Sequence, residues 1–378
     1  MNKKAWVVTG AFLAALAFGT GANLLTPEKA FSETENRVLQ TFPPFSLEEL
    51  TSGRFTTTFD TYTTDQFWNR DGWVGLKTMT QLALLNKDNG RAYFGRDGFL
   101  FEKTAPYSET LVANNVAAVA RFVERAKQAA PGLRARVMLV PTAAAILPEK
   151  LPPLAPVPDQ AAVIAQMKAA VKETVDPTAL LKAHKADGLF YRTDHHWTTA
   201  GAYVGYTALM ESLGEPPLPR DAFTTERVTE EFFGTVYSKA NLYTVKPDFI
   251  EVYRPKAANP CTVTWKNGRL DGLYDPAYLD KKDKYAYFLG GNHPLTTVET
   301  GTANGRTLLL IKDSYANALV PFLAAHYQTI VLVDPRYYKT DLSALFQEKQ
   351  VTDLLVLYNV NGFGEEKTVA AVLPQLLK

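Results

Sequence analysis

The last third of the chain constrains the fold most, because three short apolar runs there alternate with segments of helical spacing. The runs are Thr307-Leu308-Leu309-Leu310-Ile311, Thr329-Ile330-Val331-Leu332-Val333 and Asp353-Leu354-Leu355-Val356-Leu357-Tyr358. Unbroken apolar runs of this length read as strands buried on both faces. Residues 314–325, 342–348 and 366–377 read as the helices that follow them. Strand and helix in alternation imply right-handed crossovers and a parallel sheet. Upstream, residues 114–130, 160–175 and 198–212 read as helices, 135–140 as a buried strand closed by Pro141, and 189–191 as a short strand. Residues 216–294 carry short strand signals, many tyrosines and little periodicity, and read as an insertion. The expected class is α/β, a parallel sheet flanked by helices with a β-rich insertion.

The N-terminal part reads differently. Lys3 and Lys4 precede an uncharged, moderately apolar stretch over residues 5–25. That length is enough to cross a bilayer core of roughly 30 Å as a helix. The two lysines predict that it enters with its N-terminus cytoplasmic and the bulk of the chain outside. Thr20-Gly21-Ala22 also has the small residues of a cleavage site, so residues 1–25 are expected to be a signal peptide or a membrane anchor. Residues 26–100 are expected to be a tether and helical lead-in, with Phe55, Phe59, Tyr62, Phe67 and Trp68 giving an aromatic helical pattern. Residues 101–378 would form the main domain. Basic and acidic residues balance at 40 and 39, which gives no support to nucleic-acid binding. Cys261 is the single cysteine, so neither an internal disulfide nor a cysteine-based metal site can form. No glycine-rich phosphate loop is present, and no cofactor is expected.

In open α/β sheets, ligands sit beyond the carboxyl ends of the strands. The three apolar runs therefore point to Lys312-Asp313-Ser314, to Asp334-Pro335-Arg336 and to Asn359-Val360-Asn361. Ser314 falls at a strand-to-helix turn, where backbone N–H groups favour anionic chemistry. It could equally serve as a helix cap. The second constellation is Thr193-Asp194-His195-His196-Trp197. If that segment is extended, Asp194 and His196 share a face and His195 points away. A carboxylate beside an imidazole is what a serine-activating base requires. A structural histidine, a cap for the following helix and a metal site remain open alternatives. His184 reads as a surface residue, His326 as a partner of a helix C-terminus, and His293 as part of a flexible Gly-Gly-Asn-His-Pro turn.

The run Thr193-Asp194-His195-His196-Trp197-Thr198 resembles the signature of the DHHW family, which is similar to the periplasmic alginate O-acetyltransferase components with SGNH-hydrolase-like domains. The resemblance covers most of the chain after residue 25. It extends to Ser32-Glu33-Thr34-Glu35-Asn36-Arg37, Asp65-Gln66-Phe67, residues 95–101, Gly290-Gly291-Asn292 and Ile311-Lys312-Asp313-Ser314-Tyr315-Ala316-Asn317. It implies an SGNH-like sheet in permuted order, with Asp and His ahead of Ser in the chain. It also implies Ser314 as nucleophile, His196 as base and Asp194 as its orienter. Oxyanion or substrate contacts would come from Asn359 and Arg336, with Tyr315, Asn317 and Asn292 as further candidates. Arg336 departs from the pattern, which has glycine there.

The resemblance implies extracytoplasmic O-acetylation of a cell-surface or secreted polysaccharide through an acyl-Ser314 intermediate. It also implies a membrane-bound O-acyltransferase as partner and acyl donor, since no acetyl-CoA exists outside the cytoplasm. The same residues would suit a carbohydrate O-acetyl esterase. A non-catalytic glycan-binding or envelope-assembly protein on the same scaffold, and a metal-dependent hydrolase, are the readings from other classes.

Overall fold

The computed structural model describes residues 3–32, 34–35 and 37–377. Glu33 and Asn36, within the run quoted above, lie outside the described residues. The chain forms two compact units, Met1–Asn89 with Ser238–Thr244, and Gly90–Tyr237 with Val245–Lys378.

The larger unit is built on an eight-stranded sheet. In chain order its strands are β1 (Arg134–Val140), β2 (Thr174–Val175), β3 (Cys261–Trp265), β4 (Gly268–Asp271), β5 (Leu295–Thr300), β6 (Thr307–Lys312), β7 (Thr329–Val333) and β8 (Asp353–Asn359). Their spatial order is β4-β3-β5-β7-β6-β8-β1-β2. From β7 to β2 every pairing is parallel. The pairings among β7, β5, β3 and β4 are antiparallel. The three C-terminal runs thus become adjacent central strands, buried along their whole length.

Alternation of side chains across the pleat divides the core into two layers. Leu308, Leu310, Ile330 and Leu332 pack on one face, with Leu209 of helix Thr199–Ser212 and Leu319 of helix Ala316–Leu323. Leu309, Ile311, Val331 and Val356 pack on the other, with Phe122 of helix Glu109–Ala129 and Leu373 of helix Lys367–Leu376. Each such side chain contributes about 1.5–3 kcal/mol by leaving water.

The structure differs from the sequence expectation in instructive places. The helix expected over 160–175 ends at Ala170, and Thr174–Val175 pairs with β1 instead. Residues 189–191 form no strand of the sheet; Phe190 makes a single bridge to Trp197, and the chain bends back between them. The helix expected from residue 314 begins at Ala316. Residues 216–294 contribute a long hairpin, Phe223–Phe232 with Asp248–Pro255, and also β3 and β4 of the main sheet. A short helix, Val360–Glu365, follows β8 and is capped by Asn359, whose Oδ1 accepts the Gly362 N–H at 2.8 Å.

The smaller unit begins with helix Lys3–Leu25, 23 residues long and apolar enough to cross a membrane. It continues with helices Leu47–Thr51, Arg54–Asp65 and Arg70–Ala83. Buried Asp65 ties its irregular segment down, accepting from the Arg37 guanidinium at 2.9 and 2.5 Å and from the Gln40 N–H at 2.9 Å.

Candidate functional site

The segment Arg192-Thr193-Asp194-His195-His196 is held from outside by one carboxylate. Asp248, at the start of its hairpin strand, accepts the Thr193 N–H at 2.8 Å, the Thr193 hydroxyl at 2.7 Å and the Arg192 Nε–H at 2.9 Å. The segment is a chain of bends rather than an extended stretch, and that corrects the expected direction of His195. The two imidazoles do not diverge: their centroids lie 3.8 Å apart, tilted by 37°. His195 Nδ1 bonds the Thr235 hydroxyl at 2.6 Å.

Asp194 is the hub of this loop. Its Oδ1 lies 2.5 Å from His196 Nδ1 and also accepts the His196 N–H at 2.9 Å. Its Oδ2 accepts the Thr235 N–H at 2.7 Å and the Thr235 hydroxyl at 3.0 Å. Gly234 makes this approach possible, since a Cβ there would stand 2.2–2.5 Å from the Asp194 side chain. The outer ring nitrogen of His196, Nε2, lies 2.7 Å from Ser314 Oγ. Tyr285 stacks on the imidazole at 3.7 Å and 11°, which fixes the ring plane.

Ser314 stands between β6 and the helix Ala316–Leu323, half-buried. The helix end is served by its neighbour rather than by Ser314, because Asp313 Oδ1 accepts the Tyr315 N–H at 2.9 Å. The other Asp313 oxygen accepts both the Asn359 N–H and the Asn359 Nδ2–H at 2.7 Å. Asp313 therefore ties the end of β6 to the end of β8. Ser314 Oγ is left with His196, and the Ser314 backbone N–H donates to no group among the described residues.

The other candidate residues take distinct positions. Arg336 follows β7 and grips buried Asp334 through Nε at 2.9 Å and one terminal nitrogen at 2.6 Å. Tyr315 is buried, its hydroxyl donating to the His195 carbonyl and its own carbonyl accepting the Trp197 Nε1–H at 2.9 Å. Asn317 is also buried and joins a network around Lys312. The Lys312 ammonium, only 2% exposed, donates to Asn292 Oδ1 at 2.6 Å and to Asn317 Oδ1 at 2.8 Å. Asn292 itself is exposed, and its Nδ2 donates to no group among the described residues. Sequence reasoning missed Thr235 and Tyr285, and it placed Lys312 at the strand end without giving it a role. A Gly-Thr pair closing a strand-like run was the only local hint of the first.

Electrostatics give the three central groups complementary states. Burial alone would raise the Asp194 carboxyl, but the imidazoles of His196 and His195 and the Thr235 N–H hold it well below the usual range. His196 is pushed down to about 4, first by burial and then by His195, against the pull of Asp194. At neutral pH the pair is thus an anionic carboxylate beside a neutral imidazole, with Nε2 free to accept a proton. Lys312 is pushed down to about 8 by burial and by Arg336, with Asp334 and Asp313 opposing. Asp194, His195 and His196 also bring three metal-binding atoms within 4.8 Å of one another. Those atoms already bond each other, Thr235 and Ser314, so a metal would have to displace that chain.

The remaining histidines and the cysteine lie apart from these bonds. His184 is exposed and bonds Asp187 at 3.0 Å, His326 bonds the Tyr206 hydroxyl at 2.6 Å, and His293 stacks on Trp265 at 4.2 Å. Cys261 is half-buried in β3, and burial pushes its thiol up to about 11, away from reactivity.

A family model described as DHHW protein matches residues 106–333, the span that holds both the Asp-His-His-Trp loop and Ser314. The chain belongs to the DHHW family. A DHHW family protein from Eubacterium siraeum shares the fold at a TM-score of 0.64 and 24% identity, over 76% of this chain and 99% of that one. Bacillus cereus PatB1, solved with a sulfonyl adduct, gives 0.60 and 18%, over 72% and 95%. The O-acetyltransferase domain of Pseudomonas putida AlgJ gives 0.48 at 18% identity, over 75% and 99%. No curated protein sequence matches the chain. For this DHHW chain the comparisons establish the family and an α/β fold shared with the Eubacterium siraeum protein and PatB1.

Proposed function

We propose that this DHHW protein is an extracytoplasmic O-acyltransferase that moves an acetyl group onto a polysaccharide hydroxyl through Ser314. The observation that carries the reading is the unbroken chain from Asp194 through His196 to Ser314 Oγ, at 2.5 and 2.7 Å, with Ser314 just past the carboxyl end of the parallel strand β6. In the first step His196 Nε2 takes the Ser314 proton as Oγ bonds the acyl carbon. The tetrahedral oxyanion collapses, the donor's leaving oxygen takes that proton, and acyl-Ser314 remains. In the second step an acceptor hydroxyl gives its proton to His196 and attacks the ester. Ser314 then leaves and recovers the proton. The Ser314 N–H and the Asn292 Nδ2, neither of which donates to any group among the described residues, suit the oxyanion, each donor typically contributing about 10²–10³ in rate. Asn359 has its Nδ2 directed to Asp313, which suits it to positioning the turn. Arg336 would meet substrate through the guanidinium edge that Asp334 does not occupy. The N-terminal helix supports an extracytoplasmic setting, and a membrane-bound acyltransferase would supply the acyl group.

Full-length protein incubated with a chromogenic acetyl ester tests the proposal. Burst release with mass-spectrometric acetyl on Ser314 is expected, and an aryl sulfonyl fluoride should block it at the same residue. Turnover equal to that of Ser314→Ala, with no adduct, would overturn it. Adding an oligosaccharide acceptor then measures transfer against hydrolysis, since water in the second step would make the same residues an esterase.

The lowered His196 value fixes the expected pH dependence. The base must be neutral, so kcat/KM should fall tenfold per unit below about 4 and level off above it. A steady-state profile from pH 3 to 8 checks this, and an acid limb centred near 6.5 would contradict it. Lys312→Met should keep the fold but release Asn292, in the Gly290–Asn292 turn, from the buried Lys312 ammonium. Misplacing a donor by about 1 Å costs up to about 100-fold, so kcat is expected to drop by about 10- to 100-fold with an unchanged circular dichroism spectrum.

A further inference from the structure

The smaller unit holds features that the acyl-transfer reading does not use. Trp68 packs edge-on against Phe18 at 5.4 Å, and the Trp68 backbone N–H donates to Asn23 Oδ1 at 2.5 Å. Phe18 lies seven residues before the end of the 23-residue helix, about 10 Å along its axis at 1.5 Å per residue. The turn between helices Arg54–Asp65 and Arg70–Ala83 therefore grips the helix from its side, below its outer end. Gln66 strengthens the grip, accepting the Lys29 N–H and donating to the Lys29 carbonyl, both at 2.9 Å. Beside this contact opens a cleft of about 730 Å³, lined by Leu24, Phe67, Trp73, Val74, Arg70 and Lys77 among others. Its apolar wall is continuous with the exposed helix. Leu24 is 81%, Phe67 46% and Trp73 48% exposed. Trp73 and Leu76 are both exposed and three apart, on one helix face, with Lys77 next to them.

We propose that residues 3–25 stay attached as an anchor and that this cleft holds a phospholipid of the outer leaflet, its phosphate at Lys77 and its chains along Leu24, Phe67 and Trp73. A helix of 23 residues is roughly 34 Å long, close to the bilayer core, with Lys3 and Lys4 on the cytoplasmic side. Trp68 and Trp73 then fall at the outer interface, where amphipathic rings are favoured. Cleavage after Ala22 would remove Phe18 and leave Trp68 without its ring partner. The occupant follows from continuity, since Asn23 and Leu24 of the proposed membrane helix line the cleft, and the exposed Lys77 that also lines it suits a phosphate.

The test uses the full chain in vesicles of phosphatidylglycerol and phosphatidylcholine. A nitroxide is placed at Trp73→Cys, Leu76→Cys or Thr58→Cys in a Cys261→Ser background. Labels at 73 and 76 should be shielded from a water-soluble paramagnetic reagent and exposed to oxygen, and the label at 58 should show the reverse. Membrane-extracted protein should keep its full-length mass and carry phosphatidylglycerol in native mass spectrometry. Trp73→Ala with Lys77→Glu should reduce that lipid about tenfold while chromogenic ester turnover stays the same. A mature chain starting after residue 22, equal reagent access at 73 and 58, or lipid retained in the double variant would each overturn the proposal. These readouts do not depend on the acyl-transfer reading, so either can fail alone.

Discussion

Ser314→Ala is expected to lower acyl turnover by about 10⁴-fold or more while leaving the folded state almost unchanged. The size follows from the role. Without Oγ there is no acyl-enzyme, and only binding and oxyanion donors remain to help water attack directly. The small stability effect follows from the contacts. Ser314 Oγ makes one hydrogen bond, to His196 Nε2 at 2.7 Å, and the residue is half-buried, so its loss should cost no more than about 1 kcal/mol. The turn itself is held by Asp313, which ties the Tyr315 and Asn359 N–H groups and is untouched by the change. Turnover of a chromogenic ester and urea denaturation, measured side by side, separate the two effects. Activity that survives in a folded variant would remove Ser314 as nucleophile.

The placement of Ser314 was legible because β6 is buried on both faces, and that burial writes an unbroken apolar run whose end is visible in the sequence. The same held for β7 and β8, and hence for Arg336 and Asn359 just past them. What brings His196 to Ser314 was not legible locally, since 118 residues separate them and the meeting depends on how helix Thr199–Ser212 packs on the sheet. The direction of His195 was misjudged because alternation assumes an extended backbone, whereas bonds from Asp248 and Thr235 bend this segment. Thr174–Val175 shows the same limit: its helical lead-in is local, but pairing with β1 decides its state. Tyr285 carries no signal at all until the fold stacks it on His196. Strand ends are written in composition, and the partners that tune a base are written in tertiary packing.

That dependence on distant partners makes Asp194→Asn the sharpest further test. The side chain cannot choose its orientation freely. On one side the Thr235 N–H and hydroxyl present donors, at 2.7 and 3.0 Å, and these require an acceptor oxygen. An asparagine must therefore turn its oxygen toward Thr235 and its NH₂ toward His196. There it faces the His196 N–H, a donor against a donor, and the ring Nδ1. The NH₂ forces Nδ1 to accept, which moves the ring proton to Nε2. That nitrogen then donates to Ser314 Oγ and can no longer take its proton. A tautomer inversion of this kind lowers kcat by about 10⁴-fold. The mismatched buried donors should also cost about 1–3 kcal/mol of stability, readable as a shifted denaturation midpoint at unchanged slope. Turning the carboxylate into an amide also removes the anion that sustains an imidazolium, so raising the pH should not restore the rate. Nitrogen NMR of a histidine-labelled sample would show the proton on Nδ1 in the wild type and on Nε2 in the variant. An unchanged tautomer with an unchanged rate would leave Asp194 as a loop-holding residue only.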